Sequence, residues 1–125
     1  MRAMRILIVE DDTELRRMYR LALAMAGFEV DEAADGIDAL RIIENRLPDL
    51  VILDLILQVL DGLSVQQELA AGPDTSKIPI VVVTGSNIPT DTLNVARVLK
   101  KPIMPDELIR TVRHCLHAGP SAAGI

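Results

Sequence analysis

Tryptophan is absent from this 125-residue chain, and tyrosine and phenylalanine occur once each. A surface that stacks bases on aromatic rings has no material here. With thirteen Lys and Arg against eighteen Asp and Glu, a net charge of −5, there is no basic field for a phosphate backbone either. Cysteine is nearly missing too. Cys115 alone excludes an intramolecular disulfide and a cysteine-rich zinc cage, and it fits a reducing compartment. Its helical setting reads as core in preference to a reactive thiol. No apolar run reaches the ~18 residues of a membrane span. The run Ile6 to Val9 follows basic Arg2 and Arg5 but stops at three acids, too short for a signal-peptide core. These absences predict a cytoplasmic protein with neither a membrane nor a nucleic-acid partner.

What the chain does have is the balance of a folded domain: 50% apolar and 25% charged residues, in a length that suits one core and not two. Short apolar runs alternate with longer stretches of helical periodicity, which predicts an α/β fold with a parallel sheet covered by helices on both faces. The first strand is expected from Arg5 to Val9. It is followed by a helix from Thr13 to Ala26 with Leu15, Met18, Ala22 and Met25 at helical spacing and Gly27 at its end. Phe28 to Ala33 predicts a second strand, and Asp35-Gly36 opens a helix with Ile37, Leu40 and Ile43 on one face. Leu50 to Leu53 has the continuous apolar character of a central strand and ends at the lone acid Asp54. A third helix runs from Asp61-Gly62 to about Ala70, and Ile80 to Val83 forms a fourth strand ending at Thr84. The turn-rich segment from Gly85 to Asn94 leaves room only for a shortened fourth helix. Val95 to Leu99 predicts a short fifth strand ending at Lys100-Lys101. The last helix starts at Pro105-Asp106-Glu107 and buries Leu108, Ile109, Val112 and Leu116. The domain is expected over residues 1–118, with a flexible tail, or the start of a linker, over 119–125.

Open α/β sheets place their ligands at the carboxyl ends of the strands, and there this sequence collects Glu10, Asp11, Asp54, Thr84 and Lys101. Crowded carboxylates repel unless a cation holds them ionised, and a hard divalent ion such as Mg²⁺ suits a few carboxylates with water and phosphate oxygens. Beside such an ion Asp54 can act as a nucleophile toward phosphorus. Thr84 is then a hydrogen-bond donor to a phosphoryl oxygen, and Lys101 is a countercharge. Strand alternation together with the Lys-Pro pair favours Lys101 over Lys100. Asp12 fits a helix cap better than a third acid of the site, and Asp61 fits a turn and helix start better than a metal ligand. His114 and His117 are expected to be solvated.

These motifs, Ile6-Leu7-Ile8-Val9-Glu10-Asp11-Asp12, Val51-Ile52-Leu53-Asp54, Asp61-Gly62, Val81-Val82-Val83-Thr84-Gly85 and Leu99-Lys100-Lys101-Pro102, resemble the response-regulator receiver family of two-component signalling. The resemblance covers roughly residues 4–117. It implies a flavodoxin-like three-layer sandwich with a five-stranded parallel sheet of order 2-1-3-4-5. It also implies a phosphorelay role: Asp54 accepts a phosphoryl group from a histidine kinase or histidine phosphotransfer protein and passes the signal to a downstream protein. Catalytic roles fall to Asp54, Thr84 and Lys101. The metal ligands are Glu10, Asp11, Asp54 and the backbone carbonyl of Ile56, with Mg²⁺ as the cofactor. Only self-directed phosphoryl transfer and autodephosphorylation are expected, not turnover of a substrate. A cis Lys101-Pro102 bond, which aims the lysine at the site, is implied as well.

Departures from the family pattern bear on output. Gln58 stands where the family often has proline, so the loop after Asp54 loses a rigid element. Val98 stands where the family usually has an aromatic switch residue. With the shortened fourth helix, these point to signalling through another face. The apolar side chain of Ile56 offers an attacking water no polar atom, which predicts a long-lived phosphoryl form. No output module is expected after the last helix, which leaves a stand-alone receiver, a diffusible relay carrier or a piece of a larger regulator or hybrid kinase. A flavin-binding protein would need a Ser/Thr/Gly-rich phosphate loop where Glu10, Asp11 and Asp12 stand. An aspartyl-nucleophile phosphatase would need an acid at Ile56. The nearer rival is a degenerate receiver working as a phosphorylation-independent interaction module.

Overall fold

The computed structural model describes residues 2–57, 59–85, 90, 91 and 93–118. The elements follow in the order β1 (Arg5–Val9), α1 (Thr13–Met25), β2 (Glu29–Ala33), α2 (Gly36–Asn45), β3 (Leu50–Leu53), α3 (Gly62–Ala71), β4 (Ile80–Thr84), β5 (Arg97–Lys100) and α4 (Pro105–Ala118). The strands form one parallel sheet of order β2-β1-β3-β4-β5, as the resemblance implied.

The period of two along each strand divides the core. Ile6, Ile8, Leu50, Ile52, Val81 and Val83 face one layer, where Tyr19 and Leu23 of α1 meet Leu108 and Val112 of α4. Leu7, Val9, Val51, Leu53, Ile80 and Val82 face the other, against Ala39 and Ile43 of α2 and Val65 and Leu69 of α3. Both faces of the central strands are therefore dry, which is why they read as unbroken apolar runs. Cys115 lies in the first of these clusters, and burial pushes its thiol up, in keeping with a core role.

Two helices bury different stripes from those expected. On α1 the buried stripe is Leu15, Tyr19 and Leu23, whereas Met18 is exposed and Met25 is 89% exposed. Both stripes have helical spacing; the one continuous with β1 and α4 wins. On α2, Ile37 is exposed and Ala39 takes its place inward, because a small side chain lets the helix approach the sheet. β2 starts at Glu29, with Phe28 packed just ahead of it. β5 starts at Arg97, not Val95, since Ala96 spends its amide on the Ile80 carbonyl (2.9 Å) before the strand proper. Among the described residues between β4 and β5 there is no helix; residues 86–89 and 92, on which the shortened helix was expected, lie outside them. Gln58 and the expected tail over 119–125 also lie outside the described residues.

Candidate functional site at the carboxyl edge of the sheet

Three residues of the site extend the sheet by one backbone hydrogen bond each. The Glu10 amide donates to the Ala33 carbonyl (3.1 Å), the Asp54 amide to Val9 (3.0 Å), and the Lys101 amide to Thr84 (3.0 Å). The sheet thus sets where these side chains emerge. Glu10 is 2% and Asp54 6% exposed, while Asp11 is exposed to solvent. Carboxylate oxygens of Glu10, Asp11 and Asp54 lie within 4.8 Å of one another. The Lys101 ammonium donates to Glu10 Oε1 at 2.7 Å and to Asp54 Oδ2 at 3.0 Å. The second oxygen of Asp54, Oδ1, accepts the Ile56 amide at 3.0 Å.

Three carboxyl groups share one ammonium within the cluster, so the acids are in excess. Burial pushes the Glu10 carboxyl up to about 7; the Lys101 hydrogen bond and the Asp12 amide oppose that rise and the Asp54 charge adds to it. For Lys101, burial lowers the ammonium, but hydrogen bonds and charge from Glu10 and Asp54 outweigh it and the net shift is upward. The lysine is therefore held as a cation. An all-oxygen donor set with surplus negative charge at the mouth of a sheet fits a hard divalent cation.

The other residues singled out from the sequence fall as follows. Thr84 is fully buried at the end of β4. Ile56 has its amide turned to Asp54 and its side chain 53% exposed. The Lys101-Pro102 bond is cis, and Lys100 is exposed on the edge of β5. Asp12 caps α1 by accepting the Leu15 amide (3.0 Å), and Asp61 caps α3 by accepting the Ser64 amide (2.8 Å). His114 and His117 are exposed on α4, away from the cluster.

Two supporting residues were not legible in the sequence. The Arg16 guanidinium donates to the Glu10 carbonyl at 2.8 Å and to Glu32 at 3.2 Å, tying α1 and β2 to the acidic edge. In the sequence it sits beside Arg17, and the pair looks like an ordinary solvated face. Gly62 opens α3 against the backbone of Asp54: a Cβ there would lie 2.2 Å from the Asp54 carbonyl oxygen. The Asp61-Gly62 motif signalled a turn, not this close approach.

Residues 6–113 match the family model of the response regulator receiver domain. The chain belongs to the response regulator receiver family. Among curated relatives of this receiver, response regulator MprA of Mycobacterium sp. (strain KMS) is 35% identical over 117 residues, 90% of this chain and 50% of that protein. DNA-binding response regulator MtrA of Mycobacterium leprae is 38% identical over 87% of this chain and 49% of that protein. The receiver thus spans about half the length of the relatives it matches. Among solved structures, the receiver domain of sensor histidine kinase PA1611 from Pseudomonas aeruginosa, with a magnesium ion coordinated in its active site cleft, superposes with a TM-score of 0.85. It is 29% identical, with 93% of this chain and 99% of that one covered. A CheY-like receiver domain protein from Methanospirillum hungatei gives a TM-score of 0.87 at 25% identity, covering 93% and 95%. As a receiver, the chain is a signalling domain and not a classical enzyme. Among the described residues no helix is long and apolar enough to cross a membrane.

Proposed function

We propose that Asp54 accepts a phosphoryl group from a phosphohistidine of a histidine kinase or histidine phosphotransfer protein. Glu10, Asp11, Asp54 and the Ile56 carbonyl would hold Mg²⁺, which supplies neutralising charge for the incoming phosphoryl group. In the transfer a bond forms between an Asp54 carboxylate oxygen and phosphorus as the P–N bond of the donor breaks. The imidazole leaves with the electron pair of that bond and takes up a proton. Thr84 donates its hydroxyl to a phosphoryl oxygen, and Lys101 follows the negative charge from carboxylate to phosphoryl. Attack of water on phosphorus then returns the Asp54 carboxylate and inorganic phosphate. The phosphorylated domain passes its signal to a downstream protein. DNA contact of the kind named for MtrA is assigned to the part of such proteins outside the matched half, because this chain carries a net charge of −5.

The observation that carries the reading is the Lys101 ammonium bridging Glu10 and Asp54 inside a trio of carboxylates. A phosphorylation-independent module has no use for an ammonium held against two buried acids. Intact mass after incubation with acetyl phosphate tests the reading. One phosphoryl group is expected on the wild type, dependent on Mg²⁺ and absent from Asp54→Asn. No gain on the folded wild type turns the reading toward the interaction module.

A further inference from the structure

Tyr19, the single tyrosine of the chain, is 1% exposed. Its hydroxyl is the one buried side-chain polar atom without a hydrogen-bond partner among the described residues. Such an atom lowers the stability of a core, and phenylalanine fills the same space without that cost. The flanking positions of the same α1 stripe are leucines, Leu15 and Leu23, so packing alone does not call for a hydroxyl here.

The position of the ring suggests what the hydroxyl is for. Tyr19 packs in one cluster with Ile8, Val83, Leu99 and Ile103. Ile8 lies two residues before Glu10, Val83 one before Thr84, and Ile103 two after Lys101. The ring therefore shares a core layer with the residues that lead into Glu10 and Thr84 and follow Lys101. Burial pushes the phenol up to about 12, so it stays neutral, and of the charges that act on it Lys101 acts most strongly, ahead of Glu10, Asp54 and Asp12. An ammonium has three N–H donors. Two of those on Lys101 go to Glu10 Oε1 and Asp54 Oδ2. Once Asp54 carries a phosphoryl group its carboxylate charge is gone, and the ammonium must reorient toward the phosphoryl oxygens.

We propose that the Tyr19 hydroxyl is a positioning group for Lys101, accepting a hydrogen bond from the ammonium in the phosphorylated state and holding the lysine on the phosphoryl group. Tyr19 is then unsatisfied at rest because its partner arrives only with the phosphoryl group. The inference rests on Asp54 being the phosphoacceptor.

The test is a double-mutant cycle on the full chain, with initial phosphorylation rates read by intact mass at saturating acetyl phosphate and Mg²⁺. Tyr19→Phe is expected to melt at or above the wild-type temperature and yet to be phosphorylated roughly 2–10-fold more slowly, the worth of one hydrogen bond. In a Lys101→Ala background the same change is expected to have no effect, because the hydroxyl acts only through the lysine. An unchanged rate for Tyr19→Phe overturns the inference while leaving Asp54 as phosphoacceptor. So does an equal loss in the Lys101→Ala background, which marks a role in packing. A wild type that gains no phosphoryl group removes both readings together.

Discussion

Asp49 shows how much a single carboxylate outside the site contributes. Its oxygens accept two bonds from the Arg2 guanidinium (2.8 and 3.0 Å) and one from the Arg5 amide (2.7 Å), joining the start of β1 to the start of β3. The hydrogen bond from Arg2 holds the Asp49 carboxyl below its usual range, against the effect of burial and with help from the Arg5 amide. A depressed carboxylate stabilises the fold above its unfolded pKa, and that stability is lost as pH falls through the folded value. Asp49→Asn is therefore expected to cost about 1 kcal/mol at neutral pH, a figure kept low because Arg2 is largely exposed. The gap between variant and wild type should narrow as pH drops below the ordinary carboxylate range, and thermal melts at pH 7 and pH 3 (about 3 units above and about 1 unit below the ordinary value) check it. At Ile56 the question is kinetic. Its side chain is half exposed beside the bond that its own amide donates to the Asp54 carboxylate, and has no polar atom to orient a water. Ile56→Asn supplies one, and the half-life of the phosphorylated protein, followed by mass, should shorten roughly 2–10-fold. An unchanged half-life would remove Ile56 from the control of dephosphorylation.

Among the elements, α3 is the one whose placement bears most directly on the site. Its first residue, Gly62, donates its amide to the Leu55 carbonyl (3.0 Å) and leaves no room for a side chain over the Asp54 carbonyl. Gly62→Ala must displace either α3 or the Asp54 backbone, at roughly 1–3 kcal/mol by the usual cost of overpacking. Denaturant melts should show that loss, with slower phosphorylation alongside it. The elements also show where sequence patterns stop. The strands were legible because burial on both faces demands unbroken apolar residues, as at Leu50 to Leu53. The caps Asp12 and Asp61 were legible because their chemistry is local. The inward stripe of α1 was not: Leu15, Tyr19, Leu23 and the expected Leu15, Met18, Ala22, Met25 are both periodic, and only contact with β1 and α4 selects between them.

For the molecule as a whole, the acidic edge is a place where folding and ligation are linked. Three carboxylates are held together by the sheet in the folded state alone, so a cation that binds them stabilises the fold. Magnesium at one hundred times its dissociation constant should add about 2.7 kcal/mol, removed by chelation and much reduced in Asp11→Asn. Melting temperatures with and without Mg²⁺ check this; equal values would count against the metal site. The sequence by itself determined the parallel α/β architecture and the residues at the ends of the strands, because two-faced burial and strand-end polarity are written in residue order. The tertiary structure alone decided which atoms meet: Lys101 between Glu10 and Asp54, Arg16 on the Glu10 carbonyl, Gly62 against Asp54, and Tyr19 in the core layer shared by α1 and α4. Those contacts join residues far apart in the chain, and their geometry comes from sheet register and helix packing, which no local pattern encodes.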